Sequence, residues 1–195
     1  MRIQHLAILV QSVALAGCAQ PSAYPPDSPH YAYPAGVRLV LERAVDIPPD
    51  AATVRFQYGQ PVARNGVREE DPYCIFEVNT VAADSQRVAP DTLRVTAIER
   101  RIETFAGMPA WPGFTRFGLH ERSHHGRRVV FDDDDGPSQI YYVTRFRLAS
   151  AAQPDVRALT CQHNQMMPGV AIMRHVTLPE IRAALGAWFT LELAP

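Results

Sequence analysis

The chain has 195 residues, of which 47% are apolar and 20% charged, and its formal net charge is −1. These are globular values that exclude a disordered polyelectrolyte, and charge so near zero implies no nucleic-acid partner. All 19 basic residues are Arg, whose rigid fork suits carboxylate or phosphate recognition, although a codon-biased genome produces the same composition.

The amino terminus reads "MRIQHLAILVQSVALAGCAQ". Arg2 precedes an apolar stretch over residues 6–15 that is broken only by Gln11 and Ser12. Crossing a bilayer core takes ~20 apolar residues, so this shorter stretch suits the apolar region of a signal peptide. Leu15-Ala16-Gly17-Cys18 follows. These four residues resemble the lipobox of bacterial lipoprotein precursors. The resemblance covers roughly the first twenty residues; an ordinary secretory signal with a chance Cys, or a buried amphipathic helix, is the alternative. It implies that residues 1–17 are removed and that Cys18 becomes the first mature residue. Its sulfur would carry diacylglycerol and its amine a further acyl chain such as palmitate. Each buried CH₂ contributes ~0.8 kcal/mol, so two or more chains anchor stably where one is marginal. Ala19 stands where an Asp would retain such a protein in the inner membrane, so the implied site is the outer membrane, facing the periplasm or the cell surface.

About 178 residues remain after such processing, enough for one domain with a real core. With Cys18 acylated, Cys74 and Cys161 are left as one possible pair in an oxidising compartment. Two buried thiols or a metal site are the rival readings.

Residues 18–36 comprise that cysteine and a tether, "AQPSAYPPDSPHYAYPAG", with five Pro and three Tyr. Polyproline II at ~3.1 Å per residue gives it a reach of up to ~50 Å. Tyr24, Tyr31 and Tyr33 could dock on a partner, but the simpler expectation is a solvated spacer.

Residues 37–195 form a single β-rich domain. "VRLVLERAVDI" alternates, with Val37, Leu39 and Leu41 on one face. "TVRFQYG" repeats this through Val54, Phe56 and Tyr58, and "PYCIFEVNTV" places Cys74, Phe76 and Val78 together. "DTLRVTAIERRIETF" opens as a strand, while its second half fits strand or helix. "AGMPAWPGFTRFG" is loop-like. "RRVVF" and "SQIYYVTRFRLAS" flank "DDDDGP", with Asp135-Gly136 a hairpin-type turn. "VRALTCQHN" is a further strand. "TLPEIRAALG" is the one clear helix. Thr177 and Glu180 have capping-box spacing, Gly186 suits the C-terminal cap, and Ile181, Ala184, Leu185 and Trp188 share a face. "AWFTLELAP" alternates as a last strand. The pattern predicts a mainly β fold, an antiparallel sandwich or barrel-like sheet with a short C-terminal helix, with α+β as the alternative.

Four constellations invite a chemical reading. "HERSH" at 120–124 has the H-E-x-x-H form of a zinc peptidase, with His120 and His124 as ligands and Glu121 as base. That form needs a helix, yet Gly118 and Gly126 bracket it, a strand-like segment follows, and no third-ligand motif accompanies it. A polar loop is the better reading. The aspartate run 132–135 fails the calcium-loop template, which would place its first ligand on Phe131 and its last on Tyr142. "CQHNQMMPGVAIMRH" gathers His163, Met166, Met167, Met173 and His175, a donor set suited to Cu(I), but methionine in "VAIM" is ordinary core filler. Arg145 and Arg147 share a strand face with Tyr141 and could clamp an anion, against the plainer reading of a solvated sheet face.

The sequence therefore predicts a non-enzymatic envelope lipoprotein. Cys18 holds it to the membrane, Cys74 and Cys161 form a disulfide, and its domain binds an envelope partner or ligand without catalytic residues, metal or cofactor. A zinc hydrolase using His120, Glu121 and His124 is the alternative of a different class, and a copper-binding lipoprotein is the second.

Overall fold

A computed structural model of the chain describes residues 24–105, 139–165 and 173–193. The strands in chain order are β1 (Arg38–Leu41), β2 (Val45–Ile47), β3 (Ala51–Gln57), β4 (Gln60–Val62), β5 (Tyr73–Ala82), β6 (Gln86–Val88), β7 (Asp91–Phe105), β8 (Gln139–Ala149), β9 (Val156–Gln162) and β10 (Phe189–Glu192). The helix α1 (Leu178–Leu185) precedes β10. Eight strands make one antiparallel sheet in the order β10-β1-β7-β8-β9-β5-β3-β4, and β2 pairs with β6 as a separate ribbon. The protein is mainly β, a curled antiparallel sheet with one short C-terminal helix, as the alternation predicts.

One face of the sheet is apolar because its inward positions alternate with polar ones. Leu39, Leu41, Phe56, Phe76, Leu93, Phe146, Leu159 and Leu191 are all buried on it. Curling brings the two ends of the sheet together over this face. Phe189 of β10 packs edge-on against Phe56 of β3 at 5.2 Å, and against Phe76 of β5 at the same distance. Helix α1 fills the open side, contacting β3, β5 and β10 with Leu178, Ile181, Ala184 and Leu185 buried. Both sheet edges are blunted. β4 is three residues long and carries Pro61, while in β10 the Leu191 carbonyl accepts a bond from the Arg182 guanidinium.

Several elements differ from the sequence expectation. "VRLVLERAVDI" is two strands, with β2 leaving the main sheet for β6, although Leu39, Leu41, Val45 and Ile47 all remain buried. The ambiguous half of "DTLRVTAIERRIETF" is strand throughout, since β8 pairs with it from Arg94↔Ala149 to Phe105↔Gln139. The solvated-spacer expectation fails at Tyr31 and Tyr33. Tyr31 is buried, and the Tyr33 ring meets Phe146 edge-on at 5.1 Å. Arg100 donates to the Tyr31 carbonyl at 2.7 Å and lies 5.6 Å over the Tyr33 ring. Burial pushes the Tyr33 hydroxyl up to about 12, against the opposing pull of Arg100. Tyr24, by contrast, is exposed. "HERSH", "RRVVF" and the aspartate run lie outside the described residues.

Helix α1 forms as its sequence dictates. The Thr177 backbone N–H donates to Glu180 Oε2 at 2.7 Å, the Thr177 hydroxyl donates to the same oxygen at 2.9 Å, and Arg174 forks onto both Glu180 oxygens. At the other end Gly186, with φ +56°, closes the helix by donating to the Arg182 carbonyl. The same glycine lets the β3–β4 turn dock: the Gly59 N–H donates to the Ala184 carbonyl at 3.0 Å. A Cβ on Gly186 would stand 2.4 Å from Gly59 Cα, so no side chain fits there.

Cys74 of β5 lies directly opposite Cys161 of β9. Their sulfurs are 2.11 Å apart, at bonding distance, with both residues buried. Cross-linking positions 87 residues apart stabilises by ~4 kcal/mol on the chain-entropy model. Thiol counting on denatured, unreduced protein should therefore find neither cysteine reactive, and reduction should lower Tm by about 5–15 °C. Two reactive thiols from this pair would refute the bond.

Glu180 gives the fold an acid dependence of known sign. Burial alone would raise its carboxyl, but the Arg174 fork and the Thr177 bonds outweigh burial and hold it at about 2, below its ordinary 4.5. A carboxylate with a depressed folded pKa contributes stability that is fully present above 4.5 and is lost as pH falls through about 2. Glu180→Gln should cost roughly 2–3 kcal/mol at neutral pH and flatten this part of the acid limb. Urea melts of the two proteins across that pH window measure both effects.

Candidate functional site

The second face of the sheet carries the polar side chains of the same strands. Register aligns Glu99, Arg145 and Thr160 across β7, β8 and β9, and Glu77 of β5 stands beside Ala158. Arg145 reaches Glu77 Oε2 at 2.8 Å, and the Thr160 hydroxyl donates to Glu77 Oε1 at 2.6 Å. This ion pair is largely buried, with side chains only 12% and 14% exposed. Arg147 pairs with Glu99 at 2.5 Å, and Arg101 with Glu103. The Arg147 guanidinium holds the Glu99 carboxyl below its usual range. Arg145 and Arg147 thus each have a carboxylate partner within the chain, Glu77 and Glu99, and Arg145 is largely buried where the plainer reading expected a solvated face.

A cleft of about 320 Å³ opens farther along this face. Its floor is built by β5, β8 and β9. Tyr73 and Tyr141 are both buried; Gln162 Nε2 donates to the Tyr73 hydroxyl at 2.8 Å, and the Tyr141 hydroxyl donates to Glu69 Oε2 at 2.7 Å. Burial raises both phenols, and Glu69 raises Tyr141 further by favouring its protonated, donating form. Arg55 of β3 and Arg64 of the 3-10 turn Arg64–Gly66 form the opposite wall. Burial, and then the charge of Arg64, lowers the Arg55 pKa. The two arginines also line a second cleft of about 630 Å³, beside Asp50 and Pro61. The segment that carries Arg64 and Glu69 is pinned by Gln57, which is fully buried. Its amide donates to the Arg68 carbonyl at 2.8 Å and accepts from the Arg68 N–H at 3.0 Å.

The residues singled out from sequence are brought together only in part. Cys74 and Cys161 meet; Cys18, His120, Glu121, His124, Met166 and Met167 lie outside the described residues. His163 is buried, His175 is packed at 5.3 Å from the Tyr142 ring, and Met173 is half exposed. Burial lowers the pKa of both histidines. Among the described residues no three His, Cys, Asp or Glu side chains converge as a metal site. Arg55, Arg64, Glu69, Tyr73 and Gln162 escaped the sequence reading, since they come from four separate segments and match no spacing rule. The faint signal was alternation, which sets Tyr73, Ile75 and Glu77 on the face opposite Cys74. No family model, curated protein or solved structure matches the chain.

The Glu77–Arg145 pair is the most buried ion pair among the described residues. Truncating one partner leaves the other half-desolvated and unpaired, so Glu77→Ala should destabilise by about 2–3 kcal/mol, more than removal of an exposed pair such as Arg87–Asp46. Chemical denaturation of both variants makes the comparison; equal losses would show that the pair is ordinary surface charge.

Proposed function

We propose that the chain is a bacterial outer-membrane lipoprotein whose β domain is a binding module of the cell envelope rather than an enzyme. The observation that carries this reading is Leu15-Ala16-Gly17-Cys18, placed directly after an apolar stretch too short to span a membrane. Cys74 and Cys161 support it. Sulfurs at bonding distance in the centre of a sheet suit an oxidising compartment. The outer-face cleft suits binding, since charged, amide, phenolic and apolar side chains line one space of about 320 Å³.

Cys18→Ser should abolish labelling by radioactive palmitate and move the protein from the membrane to the soluble fraction. Density separation of envelopes from cells making the unaltered chain should place it with outer membrane. Unchanged detergent partitioning of the serine variant would reject the anchor.

A further inference from the structure

We propose that the cleft walled by Arg55 and Arg64 and floored by Tyr73 and Tyr141 binds a small hydroxylated organic anion, a sugar acid or a sugar phosphate. The inference rests on reading the domain as a binding module and is independent of the anchor. Its first support is a charge pattern. Arg101, Arg145 and Arg147 on the same face each have a carboxylate within 4.0 Å. Arg55 and Arg64 have none among the described residues; exposed Arg94 and Arg157 have none either, but only Arg55 and Arg64 share the lining of this cleft. Among the described residues Arg55 donates to the Thr53 hydroxyl at 3.5 Å. Two guanidiniums converging on one partly desolvated space disfavour each other. An anion seated between them converts that repulsion into charge-assisted, bidentate bonds.

The rest of the lining selects what accompanies the charge. Glu69 keeps one oxygen beyond the Tyr141 bond, and Glu103 keeps one beyond its bond to Arg101. A carboxylate offers only acceptors, so these two groups repel a bare inorganic anion and welcome hydroxyl donors. The Gln162 amide and the Tyr73 hydroxyl add adjustable polar partners on the floor, and Val67 and Ile75 add apolar surface for a sugar ring. At about 320 Å³ the cleft falls at the small end of ligand sites.

Titration of the purified full chain by calorimetry, with glucuronate and glucose 6-phosphate as probes and glucose and inorganic phosphate as controls, tests the proposal. One of the two charged sugars should bind saturably at millimolar or better affinity, and which one does so tells a sugar acid from a sugar phosphate. Both controls should bind at least about tenfold more weakly. Arg64→Gln, at an exposed position outside the sheet, should leave the fold intact and weaken binding by at least about tenfold. Arg145→Gln, outside the cleft, should not change affinity in protein that remains folded. Absence of saturable binding to either charged sugar, an unchanged affinity in Arg64→Gln, or phosphate binding as well as glucose 6-phosphate would overturn the assignment. Such a failure leaves the fractionation of Cys18→Ser untouched, so ligand and anchor are judged separately.

Discussion

The pairing of β5 with β9 is the constraint on which both faces of this protein depend. It joins segments 87 residues apart, with Cys74 opposite Cys161 on the core side. Closing so long a loop carries an entropy penalty that local contacts cannot offset, and a covalent bond at this position removes much of it from the unfolded chain. The neighbouring residues on the same strands point the other way. Tyr73, Glu77, Thr160 and Gln162 therefore inherit their positions from the register that places the two cysteines together. A slip of one residue would send the polar set into the core and the aromatic set into water.

Curling follows from what the apolar face must cover. An open eight-stranded sheet leaves Phe56, Phe76 and Phe189 on one side with no second layer of strands. Bending the ends inward lets these rings pack on one another, and the eight residues of α1 close what remains. The closure is tight at one point. Gly59 and Gly186 meet backbone to backbone, each with positive φ, and so tie the β3–β4 turn to the helix end. The same turn leads into the segment that carries Arg64 and Glu69, so helix docking and cleft geometry share one anchor.

Charge on the outer face falls into two kinds. Glu77, Glu99 and Glu103 satisfy Arg145, Arg147 and Arg101, and the most buried of these pairs takes a further bond from Thr160. Buried ion pairs offset their desolvation only with such extra hydrogen bonds. At Arg55 and Arg64 the described residues supply no such partner. Exposed Arg94 and Arg157 have no ion pair among the described residues either, so what sets Arg55 and Arg64 apart is that they line one cleft together.

Much of this architecture is legible in the sequence alone. Alternation in "PYCIFEVNTV" and "VRALTCQHN" specified strands and their buried faces, and "TLPEIRAALG" specified its helix with both caps, because side-chain period, cap chemistry and glycine conformation act within a few residues. "TVRFQYG" held through Val54 and Phe56 but failed at Tyr58, which is exposed in the turn after β3 while Gln57 is buried. The lipobox resemblance is local too. Strand order, the curl, the break between β1 and β2, the strand state of residues 98–105 and the docking of Tyr31 and Tyr33 were not legible. Each is decided by which distant segment supplies hydrogen bonds or apolar area. The cleft belongs to this second kind. Arg55, Arg64, Glu69, Tyr73, Tyr141 and Gln162 carry no motif, and only long-range pairing of four strands brings them to one place. By itself the sequence determined the helix with its caps and the inward face of most strands; the tertiary structure alone decided which charges meet, because contact between segments so far apart along the chain depends on the whole sheet's register.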